Sequence, residues 1–74
     1  MSTLGKAIKA NRERADMSLQ DLATAAGLAK SYVWELEAGR CTNPTVKAIY
    51  GLATALKVKP GIMAIWALAD LSEH

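Results

Sequence analysis

The side chains able to carry chemistry in this chain are few and scattered. The one cysteine, Cys41, has no second cysteine to bridge with, and the one histidine, His74, stands at the last position, so no Cys/His set is available for zinc. Cys41 reads as an inert or mildly exposed thiol, with a redox-sensing role as the alternative. Glu35 and Glu37 are two apart, which points them to different sides of a helix and leaves them unsuited to paired acid/base work. No glycine-rich phosphate loop and no nucleophile beside a histidine occurs. The sequence therefore predicts a protein that is not an enzyme and takes no cofactor, metal or small-molecule ligand. Charge is more informative. The net +2 divides into +2 over residues 1–17, −2 over 18–39, +4 over 40–60 and −2 over 61–74. From Arg40 to Lys59 there is no acid, which fits either a solvated face or a surface that neutralises phosphate.

Something must position these groups, and the chain has little to build with. Its 74 residues allow one domain. A chain of this size buries only about 60% of its unfolded surface, so it leans on regular helix packing or on a partner chain. With 51% hydrophobic residues, 14 Ala, 9 Leu and no Phe, the composition favours helices and excludes disorder. Met1 to Lys9 lacks the apolar segment of a secretory signal. The longest apolar run, Gly61 to Ala69, is far short of the roughly 20 residues that span a bilayer. The expectation is a soluble, cytoplasmic protein that does not engage membranes.

Periodicity predicts five helices. The first runs over about Thr3 to Ala15, with Leu4, Ile8, Asn11 or Arg12, and Ala15 on one stripe. Ser18 reads as the cap of the second, Asp21 makes an imperfect capping box, and Leu19, Leu22, Ala23 and Ala26 follow at helical spacing up to Gly27. A third helix, about Lys30 to Glu37, buries Val33 and Leu36 and stops at Gly39. After the loop Arg40 to Asn43, a fourth helix capped by Asn43 or Thr45 reaches Lys57, lined by Val46, Ile49, Ala53 and Leu56. Gly51 inside it costs about 1 kcal/mol against Ala, which implies close packing at that point. Pro60 opens a fifth helix to about Leu71.

The second and third helices with their turn are the informative unit. Two helices crossing steeply need a small residue at the contact, a glycine at the turn and apolar residues inward on the second helix. Ala23, Gly27, Val33 and Leu36 meet those needs. This Ala-x3-Gly-x5-Val-x2-Leu spacing, at about residues 18–37, resembles the DNA-binding helix-turn-helix, although an ordinary helical hairpin would satisfy the same four positions. More of the chain agrees. Leu22-Ala23-x3-Gly27-Leu28-x4-Val33-x2-Leu36-Glu37-x-Gly39, then Pro44, then Leu52-Ala53-x-Ala55-Leu56-x-Val58, is similar to the Cro/C1-type phage repressor family, also called XRE-like or lambda-repressor-like. The resemblance covers about residues 4 to 63.

It implies a five-helix, all-α DNA-binding domain in which an arginine late in the first helix pairs with the glutamate ending the recognition helix. Arg12 and Glu37 hold those positions, where most such residues elsewhere are solvated surface charges. It also makes Ala29 to Glu37 the recognition helix. With Val33 and Leu36 inward, the helical wheel turns Lys30, Ser31, Trp34 and Glu35 outward as candidate base readers. Lys30 suits guanine O6/N7, Glu35 suits cytosine N4, Ser31 is permissive, and Trp34 either presses on a thymine methyl or packs on a neighbouring loop. Tyr32 would reach a phosphate. Three departures matter: Ala29 replaces a Ser or Thr cap, Leu19 replaces a phosphate-binding Gln that adjacent Gln20 could substitute, and Thr45 replaces a minor-groove arginine. Phosphate contact then rests on Gln20, Tyr32, Arg40, Thr42, Asn43, Thr45 and Lys47, with Lys6 and Lys9 as additions.

The fifth helix is apolar nearly all round. Ile62, Ile65, Trp66 and Ala69 form one stripe, and Met63, Ala67, Leu68 and Leu71 extend the apolar surface beyond what one small core covers. Ile62 and Ile65 are equally consistent with plain core. The sequence thus predicts a single domain over residues 1–74 with residues 60–71 as dimerisation helix, Ile65, Trp66, Leu68 and Leu71 lying at the interface of a homodimer. The implied function is a transcriptional regulator, a repressor on an inverted-repeat operator, of phage Cro-like, restriction–modification controller or plasmid/antitoxin type. The alternative is a protein-interaction module of the same fold that uses the Trp34 surface for a protein partner.

Overall fold

The computed structural model describes residues 2–71, and among them the architecture is all-α. The helices are α1 (Thr3–Arg14), α2 (Leu19–Ala26), α3 (Lys30–Ala38), α4 (Val46–Leu56) and α5 (Pro60–Leu71), so the five predicted segments are all present. His74 lies outside the described residues. No described helix is long and apolar enough to cross a membrane.

Short helices need their ends satisfied, because a helix leaves four N–H and four C=O groups unpaired at its two ends. Ser2 Oγ accepts from Gly5 N at 2.8 Å to start α1. The Ser18 box is complete: Asp21 N donates to Ser18 Oγ and Ser18 N donates to Asp21 Oδ2, both at 3.0 Å. The Ser18 backbone N–H, and then its hydroxyl, hold the Asp21 carboxyl below its ordinary range. A depressed folded-state pKa means the box's contribution is fully present above the ordinary carboxylate range and is lost as pH falls through the lower, folded-state pKa. Thr45, not Asn43, caps α4, its Oγ1 accepting from Ala48 N at 3.0 Å. The C-terminal ends of α1 to α4 share one device. Asp16, Gly27, Gly39 and Lys57 each take positive φ, and the next N–H reaches back to a carbonyl inside the helix, as from Leu28 to Ala23 O at 2.9 Å.

The core joins Leu4 and Ile8 of α1, Leu22 and Ala23 of α2, Val33 and Leu36 of α3, Leu52, Ala53 and Leu56 of α4, and Met63 and Ala67 of α5. Two predicted stripes are corrected. In α4, Val46 is 84% exposed, and Ala48 joins Leu52, Ala53 and Leu56 inside. Capping by Thr45 starts the helix at Val46, which places that residue on the solvent side of the first turn. In α5 the inward row is Met63, Ala67 and Asp70, whereas Ile62, Ile65, Leu68 and Leu71 face solvent. Ala15, likewise, is past the end of α1 and exposed.

Asp70 explains the rotation of α5. The residue is 3% exposed, and its carboxylate accepts from Thr3 N at 2.7 Å and from Leu4 N at 3.1 Å, capping α1 from a helix 67 and 66 positions away. A charged acceptor suits the positive end of a helix dipole, and α1 has no acid of its own in its first turn. Nearby, Gly5 lets α1 close on α3: a Cβ there would collide with the backbone oxygens of Leu36 and Glu37. Gly51 plays the equivalent part against the Ala26 carbonyl, which is the close packing its place in the sequence implies.

Replacing Asp70 by Ala leaves two N–H groups of α1 without their acceptor. The expected cost is about 1–3 kcal/mol. At about 4–8 °C per kcal/mol for a domain this small, thermal unfolding followed by circular dichroism resolves it. An unchanged midpoint would remove Asp70 as the link between α1 and α5.

Candidate nucleic-acid interface

The α2–turn–α3 unit sets the surface. Gly27, at φ 72°, ends α2 and turns the chain toward α3, and Leu28 packs back on the core. α3 then buries Val33, Leu36 and Glu37. The opposite side carries Lys30, Ser31, Trp34 and Glu35, all exposed, as the helical wheel predicts. Ala29 gives α3 no side-chain cap hydrogen bond at its start.

The orientation of α3 is fixed from behind. Arg12 Nε donates to Glu37 Oε2 at 2.7 Å and a second guanidinium nitrogen donates to Oε1 at 3.1 Å, a two-pronged pair. Arg12 also donates to the Met17 carbonyl at 2.9 Å, which ties the loop between α1 and α2 into the same knot. The two side chains are 14% and 8% exposed. Hydrogen bonding to Glu37 raises the Arg12 pKa further above its ordinary value, so the guanidinium stays charged.

Around α3 the remaining predicted contacts are distributed unevenly. Arg40, Asn43, Thr45 and Lys47 are exposed on the loop and the start of α4, together with Lys6 and Lys9 on α1, while Thr42 is half-buried. Gln20 is exposed on α2 and donates to Thr24 Oγ1 at 3.0 Å. Tyr32 is half-buried, and its hydroxyl accepts from Thr45 N at 3.4 Å, joining α3 to the start of α4. Cys41 is half-buried and its Sγ lies 3.8 Å from Asn43 Oδ1. Of the predicted interface on α5, Ile65, Leu68 and Leu71 are exposed, whereas Trp66 packs partly against the core.

Of the two readings of Trp34, the structure shows packing on the neighbouring loop, with Arg40 as the partner the sequence did not single out. The Arg40 guanidinium lies over the Trp34 ring, 5.2 Å from its centroid. Gly39 was the available signal, because a glycine just past a helix reverses the chain and returns the following residue to the last turns.

This arrangement of a helix pair packed across a glycine turn, an exposed outer row on the second helix and a basic following loop defines a helix-turn-helix domain of the DNA-binding type. The chain belongs to the helix-turn-helix domain family, which it matches over residues 3–63, and within it to the Cro/C1-type, XRE-like group. It is 34% identical over 56 residues to the HTH-type transcriptional regulator SlrR of Bacillus subtilis, covering 76% of this chain and 37% of SlrR. The chain therefore spans little more than a third of that relative's length. Among solved structures it is similar to SinR of Bacillus subtilis, the master regulator for biofilm formation, crystallised in complex with DNA. That match has a TM-score of 0.78 and 33% identity, over 82% of this chain and 97% of the other. The restriction–modification controller C.AhdI from Aeromonas hydrophila matches with a TM-score of 0.76 and 33% identity, over 82% of this chain and 91% of the other.

Removing one partner of a nearly buried ion pair strands the other charge, at about 3–5 kcal/mol. Glu37→Gln and Arg12→Met are each expected to lower the unfolding midpoint sharply, and the double variant is expected to cost less than the two singles added. Additive losses in thermal unfolding would show that the two side chains do not act as a pair.

Proposed function

We propose that this chain is the DNA-binding domain of a sequence-specific transcriptional regulator that acts as a repressor, by occupying an inverted-repeat operator as a homodimer. The observation that carries the reading is the outer row of α3. Lys30, Ser31, Trp34 and Glu35 are all exposed on one side of a helix whose other side is locked into the core by Val33, Leu36 and the Glu37–Arg12 pair. A helix held so firmly from behind and left uncovered in front suits insertion into a major groove. Lys30 and Glu35 have the donor and acceptor chemistry to distinguish guanine and cytosine, and Ser31 tolerates either. Arg40, Asn43, Thr45 and Lys47, with Gln20 and Tyr32, suit phosphate, which positions the domain without specifying sequence. The crystallised SinR–DNA complex supports the DNA target, and C.AhdI supports a controller of this kind.

The homodimer rests on α5. Ile65 is 63% exposed and Leu68 60%, with Ile62 and Leu71 beside them. Pro60 to Leu71 contains one charged residue, Asp70, and it is turned inward onto α1. An apolar row without a charge is unusual on a free surface and suits a second copy of itself across a two-fold axis. An apolar groove of about 310 Å³ between Val46, Ile49, Tyr50, Pro60, Gly61 and Ala64 adjoins it and offers space for the partner's side chains. Such a dimer presents two copies of α3 to successive major grooves, with half-site centres about 34 Å apart.

Selecting bound fragments from a random duplex library yields the operator. On it, Lys30→Ala is expected to lose about 1–3 kcal/mol of discrimination at one base pair. Lys47→Ala should weaken operator and scrambled duplex alike and lower the salt slope by about one. Equal losses on both duplexes for Lys30→Ala would remove it from base readout. For the dimer, Leu68→Glu is expected to give a folded monomer by sedimentation that binds a half-site normally and the full operator weakly. A Leu68→Glu protein that stays dimeric and binds the full site normally would take α5 out of the interface.

A further inference from the structure

Trp34 stands on the outer row of α3, yet its ring is already engaged. Two backbone bonds produce that engagement: Gly39 N donates to Leu36 O at 3.2 Å and Arg40 N donates to Glu35 O at 2.9 Å, with Gly39 at φ 80°. In this reversal the second residue past the helix packs against a residue of the last turns, most often as an apolar contact. Here the two residues are Arg40 and Trp34, and the contact is a cation over an indole, 5.2 Å from the ring centroid. Trp34 is 46% exposed and, with Lys9, Glu37 and Ala38, lines a surface depression.

Arg40 is free in every other respect. Among the described residues no hydrogen bond or ion pair engages its guanidinium, although Glu35 and Glu37 belong to the same helix end; Glu37 is taken by Arg12. A guanidinium stacked on an aromatic ring keeps its in-plane N–H donors available, and those donors match two oxygens of a phosphate at once. A lysine could not use the ring and the phosphate together in this way.

We propose that Trp34 is a positioning residue rather than a base reader: its indole holds the Arg40 guanidinium in place so that the N–H edge is presented to a backbone phosphate at the end of the recognition helix. This assignment rests on the DNA-binding reading above and names the part that Trp34 plays in it. The holding contact acts before DNA arrives, so it lowers the ordering cost of the phosphate contact without adding a contact of its own. Its loss therefore weakens all sequences equally and leaves the number of neutralised phosphates unchanged.

The test is a double-mutant cycle in DNA affinity, measured by fluorescence anisotropy on the selected operator and a scrambled duplex at several salt concentrations. Trp34→Leu is expected to weaken both duplexes by the same factor, about two- to fivefold for a cation–π contact at an exposed site. The salt slope should not change. Arg40→Gln is expected to weaken both duplexes and to lower the slope by about one. In the Arg40→Gln background, Trp34→Leu should cost nothing further, and Trp34→Phe, which keeps an aromatic face, should recover most of the loss in the parent. A loss confined to the operator, or one undiminished in the Arg40→Gln background, overturns the proposal and returns Trp34 to direct contact with DNA. The pairing is also read without DNA, from the Trp34 indole N–H resonance, which Arg40→Gln should shift; an unmoved resonance overturns the positioning role even if DNA binds. Failure of the wild-type protein to bind either duplex at low salt, with the resonance still responding, overturns the DNA-binding reading instead, and this role with it.

Discussion

The Arg12 guanidinium sits where three stretches of chain converge, and the placement of the recognition helix depends on it. Its fork grips both oxygens of Glu37 at the end of α3, and Nη1 holds the Met17 carbonyl ahead of α2. A lone charge at either position would be costly to bury, whereas a fully hydrogen-bonded pair in one geometry admits one orientation of α1 against α3. Specificity of arrangement matters here more than energy. An apolar pair of similar volume could match the stability; the ion pair adds a directional tie to the packing of Val33 and Leu36, which together turn Lys30, Ser31 and Glu35 outward.

A domain with so few core residues also relies on its helix ends. Each of α1 to α4 is closed by a chain reversal in which the first N–H groups past the helix return to its last carbonyls, and α1, α2 and α4 begin on a hydroxyl cap. α3 is the exception at its start, since Ala29 supplies no hydroxyl. The first N–H groups of α3 therefore lack a hydroxyl acceptor, and water or phosphate oxygens can take that place. The same reversal at Gly39 gives the loop its direction and carries Arg40 over Trp34. Local backbone geometry, more than long-range packing, thus arranges the rim of the interface.

Much of this was legible in the sequence, for identifiable reasons. Ser18 with Asp21, Ala23, Gly27, Val33 and Leu36 are spaced by the geometry of two crossing helices, so their positions follow from local rules alone. The Arg12–Glu37 relation came from family resemblance; the two lie 25 positions apart, and no spacing rule joins them. The face of α5 was not legible. A helix apolar on all sides has no period to select an inner row, and its inner row is selected by a polar residue, Asp70, whose partners Thr3 and Leu4 lie 67 and 66 positions away. A signal was present: α5 has a single charge, and α1 has no acid of its own at its positive end. Gly5 was missed for a related reason, since what it accommodates is the backbone of another helix.

These contacts form a continuous route from α5 to α3 through α1. Asp70 fixes the start of α1 to the last turn of α5, Gly5 lets α1 lie directly on the Leu36 and Glu37 carbonyls, and Arg12 closes the far end onto the Glu37 side chain. α1 is therefore a strut between the helix proposed to join two copies and the helix proposed to read bases. In such a dimer the separation of the two recognition helices is set by this strut and by the seating of α5 on its twin, with no loop in between to absorb error. Operator spacing would then depend on these three helix contacts, and repacking α5 would change the half-site spacing of such a dimer without altering a single base-reading residue.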